Sequence, residues 1–382
     1  MKQFILLTIT AFLTLPTLNA QDEVNAISTA APFLLIAPDA RAGGMADMGV
    51  STSADANSQH WNPAKYAFLE SQFTLAVNYT PWLRNLTSDV FLGSVVYANR
   101  IDERSAWATS LTFFSLGSIE LRQTGDPDEQ VIIENPSELA IDGSYALRLS
   151  ESFSMAIALR YIRSDFAIRV ANSDLNTINT FSVDIAGFYQ SQEENYGTFN
   201  GRWRGGFNIS NIGPKVSFTD GGQENFIPTN LRFGGGFDFI LDEYNTISTN
   251  LEFNKLLVPT PPLRDSSGNI IEGQDDNVGF LKGIFQSFGD APGGLSEELK
   301  EFTWAIGAEY LYDESFALRA GYFNESNLKG ARKFFTLGAG FKFRSSHIDM
   351  SYLFNASDIN NPLENTLRFS LIFDFGDFFE EY

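Results

Sequence analysis

The sequence predicts an all-β protein: a 14-stranded antiparallel transmembrane barrel of the outer-membrane type, with a small N-terminal helical hatch in its periplasmic mouth. Three observations predict it. Beyond residue 72 the chain alternates apolar and polar residues with period two, as strands do. The apolar faces are rich in Phe, Tyr and Trp, which suits a lipid-facing wall with interfacial girdles. The connections between these segments alternate long and short along the chain, as outer loops and periplasmic turns of a membrane barrel do.

The first twenty residues read as a secretory signal peptide. Met1-Lys2 is a positive start, Phe4 to Leu18 is apolar, and Ala20 sets a small residue before a cut that would leave Gln21 first. The stretch is too short to span a membrane as a helix. Residues 21–72 form the expected hatch. Between Ala37 and Ser58, twelve of twenty-two residues are Gly, Ala or Ser, which permits close packing in a confined lumen. Thr52 with Asp55 resembles a capping pair opening a short helix. Asn62-Pro63 reads as an N-cap followed by Pro at the first position of a helix running from Ala64 to Leu69. A fourteen-strand lumen is too wide for wall side chains to fill, so a plug is the natural occupant.

The barrel occupies 73–375, with strands expected near 73–79, 88–98, 105–116, 139–149, 153–162, 180–190, 202–209, 230–240, 246–254, 303–311, 316–323, 334–343, 347–354 and 366–375. "LAIDGSYALRL" from Leu139 puts Leu139, Ile141, Tyr145, Leu147 and Leu149 on one face and Asp142, Ser144 and Arg148 on the other. The polar faces supply the lumen charges Arg148, Arg160, Asp184, Arg204, Arg232, Asp238 and Arg368. Replacing Arg160 by Ile is expected to leave assembly nearly intact, whereas Ile157→Arg puts a charge into lipid. Tyr161, Tyr189, Trp203, Trp304, Tyr310 and Tyr322 suit the girdles. The run Gly234-Gly235-Gly236 marks a kink or a close approach to the hatch. Residues 376–382 are left as a periplasmic tail, and both termini are expected on the periplasmic side.

The long outer loop 255–302 carries Phe280, Leu281, Ile284, Phe285 and Phe288 at helical spacing. That apolar face needs a cover, supplied either by the loop folding over the barrel mouth or by a docked protein partner.

Composition excludes several function classes. A net charge of −21 argues against nucleic acid. Cysteine is absent, so there are no thiolate metal sites or disulfides, and His60 and His347 are the two histidines. Neither is placed for hydrolysis, and no metal site, cofactor site or catalytic constellation emerges. "DSSGNIIEGQDD" departs from calcium-loop spacing.

The run "DARAGGMADMGVSTSADANSQHWNPAKYAF", Asp39 to Phe68, resembles the N-terminal signature of the PorV family, outer-membrane components of the type IX secretion system of Bacteroidetes. Asn62-Pro63-Ala64 is also similar to the hatch motif of the wider long-chain fatty acid transporter (FadL) superfamily. The resemblance implies a hatch motif of Arg41, Gly43, Gly44, Asp55, Asn57, Trp61, Asn62, Pro63 and Ala64. It also implies a non-enzymatic function: to work beside the type IX translocon barrel, receive secreted cargo by its C-terminal signal domain, and deliver it to the surface attachment machinery. Membrane lipid and lipopolysaccharide would surround the wall. The fatty acid branch implies the alternative, an outer-membrane transporter for hydrophobic small molecules such as fatty acids.

Overall fold

The computed structural model describes residues 25–84, 87, 89–121, 131–166, 175–357 and 364–379. The expected signal peptide, 1–20, lies outside them. Fourteen strands close into an antiparallel barrel. They are β1 (Ser71–Pro81), β2 (Val90–Arg100), β3 (Ser105–Leu116), β4 (Ser137–Arg148), β5 (Phe153–Asp165), β6 (Ile178–Gln190) and β7 (Asn200–Ile212). The second half comprises β8 (Asn230–Ile240), β9 (Asn245–Leu256), β10 (Thr303–Tyr312), β11 (Phe316–Asn324), β12 (Lys333–Phe343), β13 (Ser346–Asn355) and β14 (Leu367–Phe378). Each strand pairs with the next, and β14 returns to β1 through pairs such as Tyr79 with Phe369 and Phe73 with Phe375. Closure leaves no strand edge unpaired, as a lipid environment demands. β14 runs to Phe378, so the first residues of the segment read as a tail belong to the wall.

The two faces separate as the period-two pattern requires. On β5, Ile157 and Leu159 are 62% and 58% exposed, while Ala156, Ala158 and Arg160 are buried. Aromatic rows run across the outer surface: Tyr79, Phe91 and Phe113 pack as tilted rings with centroids 5.6 and 6.1 Å apart, and Trp304, Tyr322 and Phe335 likewise at 5.6 and 4.8 Å. The inner wall mixes Ala, Ser and Thr with buried charged and amide side chains, as suits a lumen occupied by the chain itself.

What fills it is the N-terminal segment. It carries two 3₁₀ turns, Pro32–Leu35 and Pro63–Phe68, and two short helices, α1 (Ala40–Gly44) and α2 (Ser58–Trp61). The expected Asn62 cap is present, its side chain accepting from the Ala64 amide at 3.1 Å, although the turn it opens is 3₁₀. The expected helix opening at Thr52 is not formed. Asp55 instead accepts from the Asn57 amide and the Ser58 hydroxyl, while the Thr52 hydroxyl donates to the Gly49 carbonyl. The competing local hydrogen bonds of a polar turn win over helix.

The hatch spans the height of the lumen rather than its periplasmic mouth alone. Ala64, Ala67 and Phe68 pack on Ala98, Ala106, Ala146 and Phe188 at the short-turn end. Phe33 and Leu34 pack on Leu92, Phe114, Ile162, Ile178 and Ile227 at the long-loop end. At that end the Asn25 amide donates to the Leu328 carbonyl and the Ala30 amide to Phe226. The amide of Phe379, the last described residue, donates to the Glu70 carbonyl at the opposite end. The first described residues of the hatch and the last of β14 thus lie at opposite ends of the barrel, residues 25–70 running between them, while the termini expected on one side lie outside the described residues.

The loop between β9 and β10 contains a hairpin of Leu263–Arg264 with Ile270–Glu272, then α3 (Phe280–Gln286) and α4 (Leu295–Lys300).

Candidate functional site

Two places in the fold concentrate unusual chemistry: the hatch–wall contact inside the lumen, and the cap formed over the long-loop end.

Inside the lumen, buried arginines tie the hatch to the wall. Arg41 on α1 forks onto Glu309 of β10, Nε to Oε2 at 3.0 Å and Nη2 to Oε1 at 2.7 Å. Its Nη1 reaches Asp55 at 2.8 Å, closing the hatch on itself. Glu309 also accepts from Arg319 of β11 at 2.6 Å, and Arg319 pairs onward with Asp349 of β13. Across the lumen, Arg160 bridges Asp142 at 3.2 Å and Asp184 at 2.9 Å, and it donates to Asn211. The hatch joins this cluster through Gln59, whose amide donates to Asp142 at 2.6 Å. Arg204 pairs with Asp238 on the neighbouring strand, a contact within the wall. Arg232 lays its guanidinium over the Trp61 ring, 4.7 Å from the centroid, and donates to the His60 carbonyl. Arg368, almost fully buried, reaches Asp47 at 3.1 Å. Arg148 sits at the short-turn rim, its guanidinium 4.5 Å from the centroid of the Phe68 ring while donating to the Glu151 carbonyl.

The remaining hatch residues have structural roles. Asn62 donates to the carbonyls of Val50 and Gly187, and the buried Trp61 indole to Asp39 at 2.7 Å. Asn57 accepts from Asn78 of β1. Pro63 and Ala64 are buried, and the Ala64 carbonyl accepts from Ser154 of β5. Gly43 lies against the Arg368 and Ser351 side chains, where a Cβ would come within 2.7 Å. Gly44 meets the backbone of Gly338. From the wall, Gly206 comes so near the hatch that a Cβ there would lie 2.2 Å from the Val50 carbonyl oxygen, and Gly234, in the triple-glycine run, faces the Val50 side chain. Alternation alone finds the wall charges but not their partners Asp47 and Gln59, nor Asp39, which accepts from the Trp61 indole inside the hatch. Nor does it find Lys65, a fully buried cation held by the Gly49 carbonyl and the Thr52 hydroxyl. These hatch positions have no strand periodicity to announce them.

Between the hatch and strands β2 to β5 lies a cavity of about 30 Å³, with Phe33, Leu34 and Ile36 on one side and Asn57, His60, Asp142 and Arg160 on the other. That is room for about two waters.

The cap has its own ion-pair hub, which the sequence pattern does not reveal. Lys255 at the end of β9 is buried against Glu298 at 3.2 Å and against Glu301. Lys329, from the β11–β12 loop, reaches Glu297 at 2.5 Å and Glu301 at 3.0 Å. Asn25 donates to Glu297 and to the Pro261 carbonyl, which ties the start of the hatch into the same hub. Burial pushes Glu297 up, but hydrogen bonds and charge from Lys329 leave it below the ordinary carboxylate range. Helix α3 sits on the mouth by its Gly283 side, against Phe226 and Pro259. The five residues expected to form one apolar face are split by this seating. Phe280 and Ile284 are half-buried, while Leu281, Phe285 and Phe288 remain 58%, 79% and 50% exposed. Leu295 and Leu299 of α4 are exposed beside them in sequence. The loop does fold onto the mouth, yet it leaves apolar surface open.

Among solved structures, this chain resembles a deltaS2S3 mutant of the TodX monoaromatic hydrocarbon channel (TodX being a Pseudomonas putida toluene transporter), with a TM-score of 0.52 and 11% identity over 88% of this chain and 99% of that one. It also resembles a Pseudomonas aeruginosa FadL homologue (TM-score 0.45, 12% identity, 89% and 98% covered) and the Ralstonia pickettii toluene transporter TbuX (0.48, 10%, 90% and 100%). At such identities the likeness to TodX speaks for the barrel-with-hatch fold alone. No curated protein matches the sequence. The family described as type IX secretion system protein PorV matches residues 19–263, which contain the whole hatch and the first nine strands. The chain is thus an outer-membrane β-barrel that belongs to the PorV family of type IX secretion system proteins.

Proposed function

We propose that this barrel is a closed, non-catalytic acceptor: beside the translocon barrel it receives secreted proteins bearing a C-terminal signal domain and delivers them to the surface attachment machinery. The family match carries the secretion role. The open apolar face of the long loop, Leu281, Phe285 and Phe288, supports docking at the long-loop end, taken as the outside of the cell. The packed lumen favours a surface-acting protein over a conduit. A cavity of about 30 Å³ is far below what a fatty acid needs, since small-molecule sites typically span about 300–1,000 Å³.

The test is the double change Leu281→Ser with Phe285→Ser. Both side chains point away from the barrel, so insertion and heat-resistant gel mobility should persist. Removing two aromatic or aliphatic anchors, each worth about 1–2 kcal/mol in an interface, should weaken recovery of the translocon or of signal-bearing cargo by tenfold or more. Unchanged secretion with an intact barrel refutes docking at this face. Loss of long-chain fatty acid uptake with secretion preserved would replace the acceptor role by that of a small-molecule transporter.

A further inference from the structure

We propose that the outer cap is an acid-tightened latch, in which proton uptake by Asp290 fastens α3, the helix carrying the open apolar face, onto the barrel mouth. This inference stands apart from the identity of any cargo.

The geometry is that of an over-charged, partly dry cluster. Asp290 lies between α3 and α4 and is nearly fully buried. Its Oδ2 accepts from the Thr260 amide at 3.2 Å and from Gln286 of α3 at 3.4 Å. Its Oδ1 is buried with no hydrogen-bond partner. The charged groups facing it are Glu298 and Glu301, from α4 and the residue after it. Lys255 serves both glutamates, and Lys329 serves Glu297 and Glu301. Four carboxylates therefore share two ammonium groups, and Asp290 is the one without an ion pair to either lysine. A buried carboxylate oxygen lacking a partner is costly. A cation would relieve the excess, but no grouping of three or more acidic, His or Cys side chains among the described residues suits a metal ion. The proton is the cation this arrangement takes.

Burial pushes the Asp290 carboxyl up to about 6, with the charges of Glu298 and Glu301 adding to the rise against the hydrogen bonds from Gln286 and Thr260. The direction follows. A carboxyl raised above its unfolded value destabilises the cap above pH 6 and ceases to do so as pH falls through 6 toward 4. Both histidines lie away from the cap, His60 in the hatch and His347 near the short-turn end.

The chain contains no cysteine, so a single spin label can be placed at Lys282→Cys on α3, with a control label at Asn195→Cys at the short-turn end. In lipid nanodiscs the Lys282 label should lose mobility as pH falls from 8 to 5, with a midpoint near 6, while the Asn195 label stays constant. Asp290→Asn should hold the label immobile throughout. Gln286→Ala removes a hydrogen bond that favours the charged form and should move the midpoint upward, which keeps the idea testable if Asp290→Asn fails to assemble. A flat wild-type curve, mobility rising as pH falls, the wild-type midpoint retained in either variant, or a parallel change at Asn195 overturns the latch.

Discussion

Glu309 should be the clamp that keeps the hatch seated. Its buried carboxylate takes a two-pronged contact from Arg41 of the hatch and a third hydrogen bond from Arg319 of the wall. Glu309→Ala takes one of two carboxylate partners from each guanidinium. Breaking a buried ion pair by deleting one partner costs about 3–5 kcal/mol. Here Arg41 retains Asp55 and Arg319 retains Asp349, so the lower end, about 3 kcal/mol, is the better figure. That is about a hundredfold in the population of the released hatch. A thiol at Ala56, buried between the hatch and Ala76, Val96 and Ile372, reports release in a chain with no other cysteine. In the Ala56→Cys background, labelling in detergent should be about a hundredfold faster with Glu309→Ala. Glu309→Gln, which keeps an acceptor oxygen, should fall between. The strand ladder is untouched, so heat-resistant mobility should remain. Equal labelling rates would refute the clamp, and a barrel that fails to form would show that Glu309 holds the wall rather than the hatch.

Other outcomes follow from the two faces of the wall. Ile157→Arg should impair insertion, costing about 2–4 kcal/mol near the membrane midplane, measured as the heat-resistant fraction on gels. Arg160→Ile, which alternation alone marks as harmless, should impair assembly as severely, about 3–5 kcal/mol, because Asp142 and Asp184 lose their shared buried partner; a normal heat-resistant fraction would contradict this. Single cysteines at Ser266 and Asn327 should label from outside intact cells, as should one at Asn25, while Glu314 and Ser345 should stay silent. Labelling of the silent pair, with Asn25 protected, would reverse the orientation.

The wall was legible because its physics is local. Each strand repeats one rule, lipid on one side and lumen on the other, so Ile157 and Arg160 announce their faces without reference to any neighbour. The long-to-short parity of the connections separated the two ends of the barrel. The hatch was legible only as a small-residue segment with an Asn-Pro cap. Its path depends on pairings across hundreds of residues, such as Arg41 with Glu309 and Gly206 with Val50, and no period encodes these. The same holds for the cap. Lys255 reads as the last residue of an amphipathic strand, and nothing local says that Glu298 and Glu301 return to bury it. The apolar helix of the long loop was visible by spacing, but its seating by Gly283, where a Cβ would lie 2.7 Å from the Phe226 ring, was not.

The threaded hatch also constrains how the molecule is made. Phe33 is packed at the long-loop end, whereas β1 begins at Ser71 at the other, so the chain must run through the lumen before the wall begins. The seam between β1 and β14 is continuous from Ser71 to Tyr79 apart from one bulge. The order expected from this path is a wall that closes around a hatch already threaded. The buried arginines fit that order. Arg41 and Arg160 can pair with hatch and wall groups while the lumen is still open to water, and their desolvation is completed only when β14 meets β1.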